Sequence, residues 1–201
     1  MKVLVIGATG TIGRAVVGKL SARHQVLKVG HKDGEYRVDI GSSDSIKALY
    51  EAVGPVDAVV SAAGVARLAP LDQLTDDDVL LSVHNKLMGQ VNLVRIGYQY
   101  LRDSGSFTLT SGVLGREPMK GSAAISLVNA GLDGFVRAAA LELPRGLRVN
   151  AVSPVWVTET LVALGMDATS GMPAQQVALA YVESVEGKRN GEILDTRAFA
   201  A

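Results

Sequence analysis

Two rhythms of apolar residues alternate along the chain: short unbroken runs, and runs in which apolar positions recur every three or four residues. Val3-Leu4-Val5-Ile6 is the first short run, the pattern of a strand buried on both faces of a parallel sheet. Ile12, Val16, Val17 and Leu20 follow at helical spacing. The same pair of rhythms then repeats. Further strands are predicted at 25–29, 36–40, 56–60, 105–111, 147–152 (stopped by Pro154) and 190–195. Between them lies a helix from Ser43, taken as its N-cap, with Ile46, Leu49, Tyr50 and Val53 on one face. A long helix over 75–101 carries Asp76, Asp77 and Asp78 in its first turn, where negative charge is favourable. Its predicted buried stripe is Leu80, Leu81, His84, Leu87, Met88, Val91, Val94 and Tyr98. A second long helix over 123–143 confines Ser126, Asn129, Asp133 and Arg137 to one narrow polar stripe, which predicts burial on more than one side, by the sheet and by a second subunit. A last helix covers 173–185. Strands alternating with helices in this way predict the α/β class, with a doubly wound parallel sheet.

Composition narrows the partners. With 201 residues, 48% hydrophobic content and no interior linker tract, one domain over residues 1–201 is expected. The 20 basic and 20 acidic residues are interspersed, so nucleic acid and anionic membranes are poor candidates as partners. There is no cysteine, which removes disulfides, thiolate metal sites and a cysteine nucleophile, and is compatible with a reducing compartment. The apolar run before Gly7 is too short for a signal-peptide core, and no uninterrupted apolar segment approaches membrane-spanning length. The expectation is a cytoplasmic protein with no metal, since no His/Asp/Glu spacing points to a metal site.

The first candidate chemistry lies between the opening strand and its helix, in Gly7-Ala8-Thr9-Gly10-Thr11-Ile12-Gly13-Arg14. Glycines at 7, 10 and 13 replace side chains with bare backbone, and the helix that follows turns its free N–H groups and positive dipole end toward them. That geometry holds a pyrophosphate. The spacing is Gly-x-x-Gly-x-x-Gly, and its place after a strand and before a helix is the context a dinucleotide fingerprint requires. NAD-binding folds usually place an acid at the end of the second strand, on the ribose 2′-hydroxyl. Here His31 and Lys32 stand at that point, with Arg14 beside the last glycine, and together they could surround a 2′-phosphate. NADP(H) is therefore preferred, with NAD(H) possible; the alternative for His31 and Lys32 is a solvated loop. Asp39-Ile40 closes the third strand at the edge where ligands of open α/β sheets collect, and Ser61-Ala62-Ala63-Gly64 are small enough for a flat ring to approach the backbone.

Taken in order, Gly7-x-x-Gly10-x-x-Gly13, Asp39-Ile40, Ser61-Ala62-Ala63-Gly64, Ser111 and Leu147-Arg148-Val149-Asn150-Ala151-Val152-Ser153-Pro154 resemble the short-chain dehydrogenase/reductase family over essentially the whole chain. The resemblance implies a single-domain Rossmann fold of about seven strands with helices on both faces, a nicotinamide cofactor, and hydride transfer to or from a carbonyl carbon. It implies that Thr158, with Pro154 and Val157 in the same run, sits at the nicotinamide carboxamide.

The chain also departs from the family, whose members carry Tyr-x-x-x-Lys on the helix after the serine matched by Ser111. Aligned there, Ile125 takes the tyrosine position and Asn129 the lysine position. Isoleucine has no proton to give; the asparagine amide can still hydrogen-bond ribose hydroxyls. Tyr98 and Tyr100 lie about 18 Å or more beyond Lys86 along their helix at ~1.5 Å per residue. Tyr36, Tyr50 and Tyr181 read as core or surface. Lys86-Leu87-Met88-Gly89 lines up with the family's Asn-x-x-Gly, so Lys86 can reach the vacated tyrosine space. Burial and a positive nicotinamide would bring its amine down from about 10.4 toward the range of a useful acid. The proposed catalytic pair is thus Lys86 as proton donor and Ser111 as the residue that positions the carbonyl. His84 and Asn85 are neighbouring candidates if the register is off by one, and the bland alternative for Lys86 is an ordinary surface lysine.

These readings converge on an NADP(H)-dependent oxidoreductase that acts on a small carbonyl or alcohol substrate through a non-standard active site. The alternative is an NADP(H)-binding sensor or regulatory protein with little or no turnover. Residues 157–173, with apolar Leu161, Val162, Leu164 and Met166, read as a lid over a small hydrophobic substrate, and Trp156 as either an aromatic wall or core. Family habit and the two oily helices point to a homodimer or homotetramer.

Overall fold

The first strand, β1 (Lys2–Ile6), shows why the opening run has no polar position. Leu4 and Ile6 point into one hydrophobic layer and Val3 and Val5 into the other, and all four are almost wholly buried. In the computed structural model, which describes residues 1–199, there follow α1 (Thr11–Leu20), β2 (Gln25–Gly30), β3 (Tyr36–Arg37), α2 (Ser43–Val53) and β4 (Val56–Ser61). A helical rod comes next, made of α3 (Asp76–Ser82), a π-helical turn (Val83–Met88) and α4 (Gly89–Gly97). The chain ends through β5 (Leu101–Thr110), α5 (Ala123–Glu142), β6 (Arg148–Ser153), α6 (Thr158–Ala163), α7 (Ala174–Glu186) and β7 (Ile193–Asp195).

All seven strands are parallel, in the order β3-β2-β1-β4-β5-β6-β7. Buried side chains of α2, α4 and α5 cover one face of the sheet, and those of α1 and α7 cover the other. This is the doubly wound Rossmann arrangement. Winding reverses between β1 and β4, and the crevice at their carboxyl ends is where such sheets bind ligands. The Leu147–Pro154 run secures the far side. Arg148 donates to the last carbonyls of α7, at Ser184 and Val185, while the Asn150 amide ties down the approach to β7 through Arg189 O and the Glu192 N–H.

Several elements depart from the sequence expectation, each for a physical reason. The N-cap of α2 is Ser42 rather than Ser43: its hydroxyl accepts the Ser45 N–H. The third strand stops at Arg37 rather than Ile40, because the Asp39 carboxylate accepts the Gly41 N–H at 2.9 Å and curls the chain into a turn. The helix expected over 75–101 is broken at Val83–Met88, and β5 begins at Leu101 instead of 105. A π turn holds one extra residue, so it rotates the face of the helix by about 100°. The stripe drawn as one therefore splits in two, and Leu80, Leu81, His84 and Met88 are exposed. The middle of the α5 polar stripe faces inward, with Asn129 and Asp133 buried and Arg137 exposed, whereas Leu127 is 53% and Leu141 88% exposed. Within one chain this helix is buried on one side only. Among the described helices α5 alone has the length and apolar content of a membrane crossing, with mean hydropathy 1.3, but Asn129, Asp133 and Arg137 interrupt it and Val128, Leu132 and Val136 dock it on the sheet.

Candidate active site

Two cavities open along the carboxyl ends of the strands. The first, about 380 Å³, is lined by Gly7, Thr9, Gly10, Gly30, His31, Asp39, Ile40, Ala62, Ala63, Gly64, Val65 and Asn85, among others. Backbone packing dictates its floor. Gly7 adopts φ +80°, and a Cβ there would lie 2.6 Å from the Ala62 carbonyl oxygen. A Cβ on Gly13 would lie 1.9 Å from Gly7 O, so α1 can start this close to the turn only without side chains. Gly10 is the N-cap of α1 and supplies no capping side chain, and the first turn holds no acid. By contrast Ser42 and Thr75 cap α2 and α3, with Asp44 and Asp76, Asp77 and Asp78 beside them. The N-terminus of α1 is thus open to an external anion.

The second cavity, about 200 Å³, is lined by Ile12, Lys86, Thr110, Ser111, Gly112, Val113, Leu114, Ile125, Asn129, Pro154, Val155, Trp156, Val157 and Thr160. Lys86 stands where the two meet. Its stem runs over Gly64, whose φ is +135° and where a Cβ would lie 2.9 Å from Lys86 Cγ. Its Nζ donates to the backbone carbonyl of Ser111 at 3.0 Å. Enclosure of the ammonium brings the Lys86 pKa down from 10.5 to about 8, with the charge of Asp133 pulling the other way. That carboxyl group is itself held above its ordinary range by burial, against the opposing influence of the Ser111 hydroxyl, Arg137, Arg116 and Lys86.

The strand end under this site is fixed by side chains that sequence reasoning did not single out. Gln90, fully buried and one turn past Lys86, donates to Thr110 O at 2.8 Å and accepts the Thr110 N–H at 2.7 Å. Thr110 Oγ1 donates to Ser61 O and pairs with the Tyr181 hydroxyl at 2.6 Å. Ser111 N–H reaches Val152 O at 2.9 Å, so its side chain is carried by two strands at once. Tyr181 and Tyr50 are wholly buried, with pKa values pushed up by burial, and none of the five tyrosines lines the cleft. Ile125 occupies its wall instead.

Of the residues singled out from sequence, Gly7, Thr9, Gly10, His31, Asp39, Ile40, Ala62, Ala63 and Gly64 meet at the first cavity, and Gly13 packs beneath Gly7. Ile12, Lys86, Ser111, Asn129, Pro154 and Val157 meet at the second. Asn129 donates weakly to Gly112 O at 3.4 Å, and its buried Oδ1 accepts nothing; Ser61 Oγ, fully buried at the end of β4, is likewise unpartnered. Thr158 lines neither cavity; its N–H bonds to Met172 O, and Met172 N–H to Trp156 O, so the ends of 157–173 are stitched together. Trp156 is a wall of the cleft. The three expected cations do not converge. His31 borders the first cavity, Lys32 is exposed in the following turn, and Arg14 lies with Thr11 on a separate cleft beside Glu159. Asn85, the neighbour in register, lines the first cavity, and its Oδ1 accepts the Val65 N–H at 2.7 Å, while His84 is exposed.

Comparison with known proteins agrees with this geometry. A family model described as enoyl-(acyl carrier protein) reductase matches residues 12–198. The 3-oxoacyl-[acyl-carrier-protein] reductase of Rattus norvegicus is 30% identical over 174 residues, which span 76% of this chain and 74% of that protein. Among solved structures, the protein lin1944 from Listeria innocua is 42% identical with a TM-score of 0.94, over 97% of this chain and 98% of that one. A small-chain dehydrogenase crystallised in complex with NADPH is 26% identical with a TM-score of 0.86, over 97% and 95%.

Proposed function

Because the chain belongs to the short-chain dehydrogenase/reductase family, we propose that it is an NADP(H)-dependent oxidoreductase in which Lys86 supplies the proton that a tyrosine supplies elsewhere in the family. The observation that carries this reading is the position of Lys86: an enclosed amine, lowered to about 8, facing a small cleft that holds Ser111 and no tyrosine.

The residues present fit a dinucleotide. The side-chain-free turn at Gly7, Gly10 and Gly13 and the uncapped start of α1 suit its pyrophosphate. The unpartnered Asn129 Oδ1 suits a ribose hydroxyl donor at the cleft. His31 beside the adenosine end favours a 2′-phosphate, and the NADPH-bound relative supports the same choice. When bound, the nicotinamide supplies a hydride to the substrate carbon, or accepts one from an alcohol in the reverse direction.

The chain's own residues do the rest. The Ser111 hydroxyl holds the carbonyl oxygen, and Lys86 gives it a proton as negative charge develops there; in the reverse direction the neutral amine takes the proton back. An amine near 8 is matched to acid and base roles close to neutrality. Ile12, Val113, Leu114, Ile125 and Trp156 make a tight, mostly apolar wall. A small ketone or aldehyde, or the corresponding alcohol, fits that volume.

The outward apolar strip of α5, Leu127 and Leu141 with Ala130, Gly134 and Ala138 between them, supports a homo-oligomer closed on this helix. The functional reading is tested by following NADPH absorbance over a panel of small ketones and aldehydes, alongside a cofactor-binding titration. Turnover of at least one small carbonyl is expected; binding with no turnover across the panel would indicate a sensor instead.

A further inference from the structure

Asp133 has no role in the chemistry above, yet its setting is unusual for a carboxylate. It is 4% exposed, on the face of α5 that packs against the sheet, one turn past Asn129, and its Oδ1 accepts no hydrogen bond. The Ser111 hydroxyl reaches the carboxylate, but a hydroxyl alone offsets little of the cost of burying a charge, so such a group is retained where an opposite charge meets it. The charged and polar groups that face it are Lys86 from the π turn, Ser111 from the end of β5, Arg116 from the loop beyond, and Arg137 on α5 itself. Arg116 is committed to Asp195 at 3.1 Å, and Arg137 is exposed and, among the described residues, bonds only the Asp133 backbone carbonyl. Lys86 is the enclosed cation of the set. The packing that brings it there is close: a Cβ on Gly131 would lie 3.2 Å from both methyl carbons of Leu87, so α5 and the π turn are in tight contact.

We propose that Asp133 is a positioning residue for proton transfer: its carboxylate beneath the cleft keeps the Lys86 amine protonated and aimed at the Ser111 end of the site. The proposal rests on Lys86 being the proton donor. Asp133 need not touch substrate. Its negative charge offsets part of the penalty that enclosure places on the ammonium, and without it a smaller fraction of the amine would carry a proton at neutral pH.

The test is an NMR titration of the lysine side-chain resonances, assigned to Lys86 through Lys86→Met, in wild type and in the isosteric Asp133→Asn. The Lys86 midpoint is expected to move down from its wild-type position by about one pH unit, the size a nearby opposite charge exerts without a direct ion pair. The alkaline limb of NADPH-dependent ketone reduction should move with it, with activity recovered at lower pH and the KM for NADPH unchanged. The reciprocal arm protects against a misfolded Asn variant: in Lys86→Met the Asp133 carboxyl should titrate at higher pH than in wild type. An unchanged midpoint in both arms would overturn the pairing. Shifted midpoints with undiminished reduction by Lys86→Met would overturn the proton-donor reading, and this proposal with it.

Discussion

Replacing Lys86 with methionine should make the protein more stable while making it a worse catalyst. Lowering the amine from 10.5 to about 8 corresponds to roughly 3 kcal/mol at ~1.36 kcal/mol per pH unit, with the attraction of Asp133 already included. Between those values the unfolded chain binds more protons than the folded one, so stability rises with pH through that window and the full penalty applies below about pH 8. Methionine keeps the length and apolar stem and removes the charge. Loss of the 3.0 Å bond to Ser111 O gives back about 1 kcal/mol, which leaves a net gain of about 2 kcal/mol at pH 7. Urea denaturation followed by far-UV circular dichroism at pH 7 and near pH 10 measures it, with an NADPH titration as the control for an intact site. The advantage should shrink toward zero at the higher pH. A methionine variant less stable than wild type at pH 7, or a gap that does not narrow with pH, would refute the reasoning.

Three other outcomes follow from the geometry. Gly13→Ala puts a methyl group 1.9 Å from Gly7 O, so the urea midpoint should fall by the equivalent of about 3 kcal/mol and NADPH binding should be lost; a variant that binds normally would contradict the cradle. His31→Ala should weaken NADPH by about tenfold and leave NADH unchanged, the loss of one exposed charge-assisted contact to a 2′-phosphate; an unchanged NADPH-to-NADH ratio would remove His31 from cofactor choice. Leu127→Glu with Leu141→Glu should convert the oligomer to a monomer in sedimentation analysis without altering far-UV circular dichroism, and a wild-type monomer would refute the α5 interface.

The sheet was legible because its signal is local. Four apolar residues followed by glycine, repeated with helical spacing between, admit few arrangements, and the α/β alternation with its phosphate turn could be read before any coordinates. The break in the long helix was not legible, because a π turn leaves the apolar count unchanged and alters only the phase, so Leu80 and Leu81 looked buried beside Val91 and Val94. The register at Asn85 and Lys86 is ambiguous in sequence because one residue decides which cavity a side chain enters there: Asn85 lines the first and Lys86 the second. Asp133 stood in view as a member of the polar stripe on α5. What hid its position was the direction of that stripe, since amphipathic patterning points polar residues to water by default and here they point to the site. The convergence of His31, Lys32 and Arg14 was expected from their nearness to the glycines along the chain, whereas the helical turn sets Arg14 in a separate cleft with Thr11 and Glu159.

The central claim is that the turn after β1 holds a phosphorylated nicotinamide dinucleotide, with the reacting end in the cleft between Lys86 and Ser111. Titration of the purified protein with NADPH, read by the cofactor's own fluorescence and by quenching of the single tryptophan, Trp156 in the cleft wall, tests it directly. Saturable binding in both signals, tighter for NADPH than for NADH, is the predicted result. No measurable affinity for either nucleotide would contradict it.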